Sequence, residues 1–264
     1  MTTQSVRPAT PGPGADAQRA AAPSQRVVAQ ARFEIGTLLR NGEQLLVSLI
    51  LPAMVLLGLR ATSTPSLGTG DRIDLAVPGV LALSVISSAF TSQAIATGFD
   101  RRYGVLRYLG VTPLGRSGLV AAKVLATLAV LALQVLLLGG LGLGLGWTPA
   151  LAGVLPAVLF VIVGTWAFVA LALLVGGTLR AEAVLALANL LWVLFLALGG
   201  VILPRSQLPD AWAGPAALLP SAALGDGLRS ALVDGSLNGP ALLVVLGWAG
   251  LATLLAARLF RFDD

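Results

Sequence analysis

Six long apolar stretches alternate with short polar segments along the chain. They cover residues 45–59, 75–98, 119–145, 150–179, 183–203 and 240–257, and the only charged residue within them is Lys123. A helix needs about 20 apolar residues to cross the hydrocarbon core of a bilayer. The first stretch is shorter than this, and the other five are close to it or longer. The pattern therefore predicts an all-α integral membrane protein with six transmembrane helices.

The residues before the first apolar stretch divide into two parts. Residues 1–25 are rich in proline and small side chains and show no apolar periodicity, which predicts a disordered cytoplasmic tail. Within residues 26–40, most apolar side chains fall on one side of an ideal helix. We interpret this segment as an amphipathic helix in the membrane interface. A cytosolic helix packed on the rest of the protein is the alternative.

The composition excludes several classes of chemistry. Of the 264 residues, 56% are hydrophobic and 11% charged, and the mean hydropathy is +0.89, which excludes a soluble enzyme. The chain has no cysteine and no histidine. Thiol and imidazole catalysis and the usual zinc, haem and iron–sulfur ligands are thereby excluded, so we expect neither a catalytic centre nor a metal site.

Arginine is distributed unevenly between the predicted loops. If the N-terminus is cytoplasmic, twelve arginines lie in cytoplasmic segments and four in external ones. Cytoplasmic segments of membrane proteins carry the excess of Lys and Arg, so we predict a multi-pass protein with both termini in the cytoplasm. The net charge of +5 does not indicate nucleic-acid binding, because the charges lie on different sides of the membrane.

The cytoplasmic loop between the second and third spans combines arginines with aromatic residues. Apolar and aromatic side chains recur at i, i+4 and i+7 from Phe99, which predicts a short amphipathic helix over residues 100–109, ended by Thr112 and Pro113. Such a helix can dock into a groove of a soluble partner. A basic interfacial loop that contacts anionic membrane lipid and fixes the topology is the alternative, and the residues alone leave both open.

The stretch 99–123 resembles the cytoplasmic loop of ABC transporter type-2 permeases, the membrane subunits of bacterial drug, lipid and polysaccharide exporters. In that family a charged segment ends in glycine, a leucine-rich turn and Thr-Pro-Leu follow, and a lysine opens the third span. The residues that match are Gly104, Leu106, Leu109, Thr112, Pro113, Leu114 and Lys123. The amphipathic first helix, the six spans and the proline-rich segment before the sixth span extend the resemblance over a permease domain at 26–264.

The resemblance implies a coupling helix that sits in a cleft of a separate ATP-binding cassette subunit and transmits its closure to the spans. Its residues would be Asp100, Arg101, Arg102, Tyr103, Gly104, Leu106, Arg107, Tyr108 and Leu109. The family often has an acidic residue shortly before the glycine, where this chain has Arg101 and Arg102, so the charge partner on the ATPase is expected to differ.

The resemblance also implies the remaining parts of the transporter. Two ATP-binding subunits would bind ATP and Mg²⁺, and a second permease, an identical copy or a paralogue, would form a dimer with this chain in the inner membrane of a bacterium. This chain itself is expected to bind no cofactor. A Walker A loop requires Gly-Lys followed by Ser or Thr, and Lys123, the only lysine, lies between Ala122 and Val124.

Polar residues within the spans allow two interpretations each. Lys123 lies about one turn inside the third span, where snorkelling to the interface is favoured over a role in substrate binding or gating. One face of the second span carries Ser84, Ser87, Ser88, Thr91 and Ser92. This face predicts helix packing, and a lining for a translocation pathway is compatible with it, with Ser84, Ser88 and Thr91 as candidates.

Glycines at the end of the third span repeat the small-xxx-small spacing that lets helices approach closely. Gly140 and Gly144 form one such pair, and Gly142 and Gly146 the other. The spacing does not decide whether the close contact lies within the chain or across a dimer.

The predicted external segment 204–239 is too long for a tight connection and too apolar for a free loop. Pro209 lies near its start, and a second helix is predicted after Pro220 and Ser221, with Ser221 as its N-cap. This pattern indicates a helical hairpin that dips into the outer leaflet. The resemblance implies that it forms an outer gate, and an ordinary external loop is the alternative.

The leading hypothesis is thus the permease subunit of an ATP-driven exporter. Spans without buried acids suit an amphipathic or lipid-like substrate. A secondary transporter driven by an ion gradient is the first alternative, but such coupling usually requires carboxylates or histidines within the spans. A membrane scaffold without transport activity is the second.

Overall fold

In the computed structural model, residues 21–40, 42–64 and 66–260 are described, and every regular element in them is helical. The α-helices are α1 Pro23–Arg40, α2 Gly42–Ala61, α3 Arg72–Val85, α4 Gln93–Arg102, α5 Val105–Gly110, α6 Gly115–Gly144, α7 Val154–Gly176, α8 Ala181–Leu198, α9 Asp210–Ala216, α10 Pro220–Leu232 and α11 Gly239–Leu259. Short 3₁₀ turns at Leu151–Gly153 and Arg205–Gln207 precede α7 and α9. The prediction of an all-α membrane protein is confirmed.

Five helical stretches are long and apolar enough to cross a bilayer. They are Arg72–Arg102, Ser117–Gly144, Leu151–Gly176, Ala181–Leu198 and Gly239–Leu259. The first predicted span corresponds to the apolar part of α2, Ser48–Ala61, which is shorter than a complete span. The number of six spans therefore stays a prediction.

Helix α1 begins at Pro23, three residues before the predicted boundary. A proline at the first helical position is favoured because its missing N–H has no intrahelical acceptor there. Helix α1 thus includes residues 23–25 of the predicted tail, and residues 1–20 lie outside the described part of the chain. The helix packs along α6 and buries Ala31, while Phe33 on its opposite side is exposed.

The second predicted span is one continuous helix with a wide turn in its middle. Helix α3 leads into a π-helical segment, Ile86–Ser92, which continues as α4. A π-helix has more residues per turn than an α-helix, so side chains after it point in directions that α-helical periodicity does not give.

Helix α7 packs against α4, α10, α11 and the π-helical segment. Three phenylalanines form an aromatic cluster at this contact. The ring centroid of Phe195 on α8 lies 5.5 Å from that of Phe90 and 5.6 Å from that of Phe168, both in edge-on geometry. Edge-on contacts of this kind stabilise aromatic pairs beyond their buried area, so the cluster joins the π-helical segment to α7 and α8.

Some glycines are required by close approach and others are not. A Cβ at Gly153 would lie 1.6 Å from the carbonyl oxygen of Ala231, where the start of α7 meets the end of α10. A Cβ at Gly142 would lie 3.0 Å from Val77, so this glycine serves a contact within the chain. Gly140 and Gly144 have open space around them, so their spacing serves no helix contact among the described residues.

We predict that Gly153→Ala destabilises the protein, whereas Gly140→Ala does not. The added methyl group at residue 153 has to displace the backbone of α10, and overpacking of this kind costs about 1–3 kcal/mol. The melting temperature of the detergent-solubilised protein is the measurement. Equal melting temperatures for the two variants would contradict the α7–α10 contact.

Candidate functional site

The predicted coupling helix over residues 100–109 is wrong as a single helix, because the structure divides it into two. Helix α4 extends the second span to Arg102, and α5 begins at Val105. Gly104 between them has φ +76°, in the left-handed region that a residue with a Cβ rarely adopts. The result is a tight turn at Gly104 between the two helices, and we call this unit the α4–α5 hairpin.

The α4–α5 hairpin exposes a different set of side chains from the one that an unbroken helix predicts. Tyr103 is 72% exposed and Tyr108 77%, and Arg107 and Val111 are exposed beside them. We call these four residues the coupling surface. Leu106 is 0% exposed and belongs to the hydrophobic core. The expectation that Leu106 contacts a partner is therefore corrected, because the break at Gly104 turns its side chain inward.

Two arginines hold the α4–α5 hairpin to the connection between α7 and α8. Arg101 is buried, and its Nη2 donates to the carbonyl oxygen of Leu179 at 2.6 Å. Arg102 forms an ion pair with Glu182 in the first turn of α8. Arg101 and Arg102 occupy the positions before Gly104 at which ABC-2 type permeases, which the loop resembles, often have an acidic residue. Both arginines make contacts within the chain.

The Thr-Pro-Leu motif forms the turn between α5 and α6. The Thr112 hydroxyl donates to the carbonyl oxygen of Leu109 at 2.7 Å, and the carbonyl oxygen of Pro113 accepts from Arg26 on α1. Leu114 is the N-cap residue of α6. The motif therefore fixes where the hairpin ends and also joins it to α1.

Lys123 is buried rather than snorkelled, with 1% of its surface exposed. Its Nζ lies 3.2 Å from Oε1 of Glu34 on α1 and 3.6 Å from Oδ2 of Asp100 on α4. Gln93 adds its Oε1 at 3.5 Å. We call Glu34, Asp100 and Lys123 the buried ion cluster. The expectation of a snorkelling lysine is corrected, because carboxylates on two other helices reach Lys123 inside the protein.

The buried ion cluster was missed from the sequence, although one signal pointed to it. Glu34 is the only acidic residue of α1 and lies off its apolar face. Periodicity shows that Glu34 lies off the apolar face of α1. It does not show that Glu34 contacts Lys123, which lies 89 positions away on α6. The expectation that Asp100 faces a partner is corrected, because the structure pairs its carboxylate with Lys123.

The polar face of the second span is divided between two neighbours and does not form one stripe. Ser88 donates to Oε1 of Gln134 on α6 at 3.0 Å, whereas Ser87 accepts from the indole N–H of Trp192 on α8 at 2.9 Å. Ser84 donates to a carbonyl oxygen of its own helix, that of Val80. The π-helical segment explains the division, because it rotates residues that α-helical periodicity places together.

A cleft of about 240 Å³ opens beside the π-helical segment, between α2 and α8. Its lining is neutral and includes hydroxyl, amide and indole groups, and the residues are Ser48, Leu51, Pro52, Ser87, Thr91, Ser92, Asn189 and Trp192. Of the three pathway candidates, Thr91 lines the cleft, whereas Ser84 and Ser88 do not.

The segment before α11 contains the expected second helix, but Ser221 does not cap it. Leu219 is the N-cap of α10, Pro220 is the first residue, and Ser221 is wholly buried without a capping hydrogen bond. Proline favours the first helical position, which moves the helix start one residue before the predicted N-cap. Pro209 is the N-cap residue of the short helix α9.

Arg229 attaches α10 to the end of α8. Its Nη2 donates to the carbonyl oxygen of Gly200 at 2.8 Å and to that of Val201. Burial lowers the pKa of Arg229 to about 10, an effect that Asp226 opposes, so the guanidinium stays charged at neutral pH. Arg229 is the only cation of α10, and this is the one sequence signal for its contact with the end of α8.

The model of the ABC-2 type transporter family matches residues 26–233, which is most of the chain and runs from α1 to the end of α10. The chain belongs to the ABC-2 type transporter family. No curated protein matches the chain in sequence. Proteins of the ABC-2 family are membrane components of ABC transporters, so the chain is a permease whose family implies an ATP-binding cassette partner.

The features described above all lie within the matched part of this ABC-2 permease. The α4–α5 hairpin, the buried ion cluster and α10 fall between residues 26 and 233, whereas α11 lies beyond the match. In the described part of the chain no group of three or more acidic side chains could hold a metal ion.

We predict that Lys123→Met destabilises the protein by about 1–3 kcal/mol, because Glu34 and the partly exposed Asp100 then lose the ammonium that compensates their charge. The triple variant Glu34→Gln/Asp100→Asn/Lys123→Met removes all three charges and is expected to recover most of the loss. Thermal melting of the solubilised protein measures both. A triple variant as unstable as Lys123→Met would show that packing, and not charge compensation, explains the effect.

Proposed function

We propose that the chain is the transmembrane permease of an ATP-driven exporter. ATP hydrolysis by a separate ATP-binding cassette subunit is coupled to efflux of an amphipathic or lipid-like substrate across the bacterial inner membrane. The observation that carries this proposal is the α4–α5 hairpin, which exposes two tyrosines on a short, well-anchored protrusion. Exposed aromatic side chains next to an arginine are typical of a protein interface.

The anchoring of the hairpin supports its role in coupling. Leu106 lies in the core, Arg101 and Arg102 contact the α7–α8 connection, and Asp100 contacts Lys123 on α6. A partner that moves the coupling surface therefore moves the ends of several helices with it. A loop placed only to set topology would need no such contacts.

The cleft beside the π-helical segment supports an amphipathic substrate. Its hydroxyl, amide and indole groups can hydrogen-bond a neutral polar headgroup, while Leu51 and Pro52 offer apolar contacts. We propose that a second permease copy or a paralogue faces this side of the bundle and that two ATP-binding subunits complete the transporter. The buried ion cluster does not favour an ion-gradient-driven transporter, since Lys123 already pairs with both carboxylates.

We predict that Tyr103→Ala/Tyr108→Ala leaves membrane insertion intact but weakens binding of the ATP-binding subunit about tenfold or more, because buried aromatic anchors dominate the energy of protein interfaces. We expect the transport rate, and the stimulation of ATP hydrolysis by the permease, to fall together with subunit binding. Co-purification of the subunit and transport in proteoliposomes are the measurements.

The matched control is Leu218→Ala/Leu237→Ala, which removes two exposed apolar side chains outside the coupling surface. This control should behave as the unmodified protein. Unchanged subunit binding by the tyrosine variant would contradict the proposed coupling surface, whereas lost binding by both variants would indicate a general defect.

The predicted topology is testable with single cysteines, because the chain has none of its own. We expect an impermeant maleimide added to intact cells to label Ser206→Cys on the external side and not Tyr108→Cys on the cytoplasmic side. Both positions are exposed in the structure, whereas Ser221 is buried. Labelling of both variants in SDS-solubilised membranes is the control. Labelling of Tyr108→Cys in intact cells would show that the orientation is reversed.

A further inference from the structure

A small cavity lies among α1, α2, the π-helical segment, α4 and α6. Its volume is about 20 Å³, which is enough for one water molecule. Most of its lining is polar and neutral, and the polar residues are Ser48, Ser88, Ser92, Gln93 and Thr127. Two apolar residues, one of them Val130, complete it. A cavity holds water only where it is both large enough and polar, and this one meets both conditions.

The hydroxyl group of Ser92 differs from those of the other serines in its span. Ser84, Ser87 and Ser88 each form a side-chain hydrogen bond, whereas the Ser92 hydroxyl forms none with another described residue. Ser92 is only partly buried and lines both this cavity and the cleft, so a small ligand can reach it. A hydroxyl without a partner inside a bundle costs free energy, which indicates a hydrogen-bonding ligand at this position.

Two separate hydrogen-bond networks end at this cavity. In the first, Nε2 of Gln93 donates to Oγ1 of Thr127 at 3.1 Å, and Oε1 of Gln93 lies 3.5 Å from Nζ of Lys123. In the second, Gln134 accepts from Ser88 at 3.0 Å and donates to a serine of α2 at 2.9 Å. Among the described residues no hydrogen bond joins the two networks directly. A ligand in the cavity is therefore placed between them.

We infer that this cavity binds a water molecule, to which Ser92 donates and from which the hydroxyl oxygens of Ser88 and Thr127 accept. Each of these two oxygens keeps an unused lone pair, because a hydroxyl can accept twice. Three hydrogen bonds are about the usual number for a buried water molecule. Water is favoured over a metal cation, because no carboxylate is among the lining residues and Gln93 already contacts the ammonium of Lys123.

The bound water makes one hydrogen-bond network out of two. Ser92 connects it to the cleft, and Thr127 connects it through Gln93 to the buried ion cluster. The polar groups of the cleft and the charges that hold α1, α4 and α6 together are thereby in contact through hydrogen bonds. The inference goes beyond the proposed function and requires neither an ATP-binding subunit nor a substrate, so the two can fail separately.

The test is X-ray hydroxyl-radical footprinting of the full chain in lipid nanodiscs. The radicals form from water and oxidise the side chains beside it, so a buried side chain is oxidised where a water molecule is bound. Val130 lines the cavity and is 6% exposed, and its matched control is Val163, a residue of the hydrophobic core that is 7% exposed. We expect Val130 to be oxidised at least about threefold faster than Val163. Equal rates would overturn the inference.

Two variants assign the water molecule to Ser92. Ser92→Ala removes a hydroxyl that bonds to no other described residue, so the fold should be kept while the oxidation rate of Val130 falls to about that of Val163. Ser87→Ala should leave the rate unchanged, because Ser87 lines the cleft but not the cavity. Oxidation of the exposed Tyr108 checks that the radical dose is equal in all samples. An unchanged rate in Ser92→Ala, or an equal fall in both variants, would show that the proposed site is wrong.

Discussion

The contact of Lys123 with Glu34 and Asp100 fixes how three helices sit against one another. Helices in a lipid environment gain little from apolar contacts, because the surrounding lipid tails are as apolar as their own side chains. The apolar surfaces of α2, α6 and α8 therefore specify register only weakly. A buried ammonium that is stable only beside its carboxylates does specify it, because sliding α1 or α4 along α6 would leave a charge uncompensated.

The position of the α4–α5 hairpin depends on this contact. Asp100 precedes the turn at Gly104 by one helical turn, so the ion cluster fixes the helix end from which the hairpin projects. Arg101 and Arg102 then orient the hairpin against the α7–α8 connection. A partner that binds the coupling surface can move the spans only if the helix end beneath that surface stays fixed to the rest of the bundle. For the coupling role proposed above, the buried charges are a functional requirement as well as a packing feature.

The sequence was sufficient for the helices but not for the contacts between them. Apolar stretches and apolar periodicity predicted the apolar helices and the amphipathic helix, because side chains that face lipid or the protein interior must be apolar. It failed at Gly104 and at the π-helical segment, where the local backbone departs from α-helical geometry and redirects Leu106 and the serines of the second span. It also failed for Lys123. The burial of Lys123 depends on its contact with Glu34, and this contact exists only because α1 packs against α6 in the tertiary structure.

Helix α8 has polar contacts at both of its ends, with the α4–α5 hairpin at one end and with α10 at the other. Glu182 in its first turn pairs with Arg102 of the α4–α5 hairpin, and the carbonyl groups of Gly200 and Val201, just beyond α8, accept from Arg229 of α10. At 1.5 Å per residue, its 18 residues span about 27 Å. Between these ends α8 contributes Trp192 and Asn189 to the lateral cleft. Because Arg102 contacts one end of α8 and Arg229 contacts the backbone just beyond the other, the α4–α5 hairpin and α10 both adjoin this helix, and the cleft lies along it.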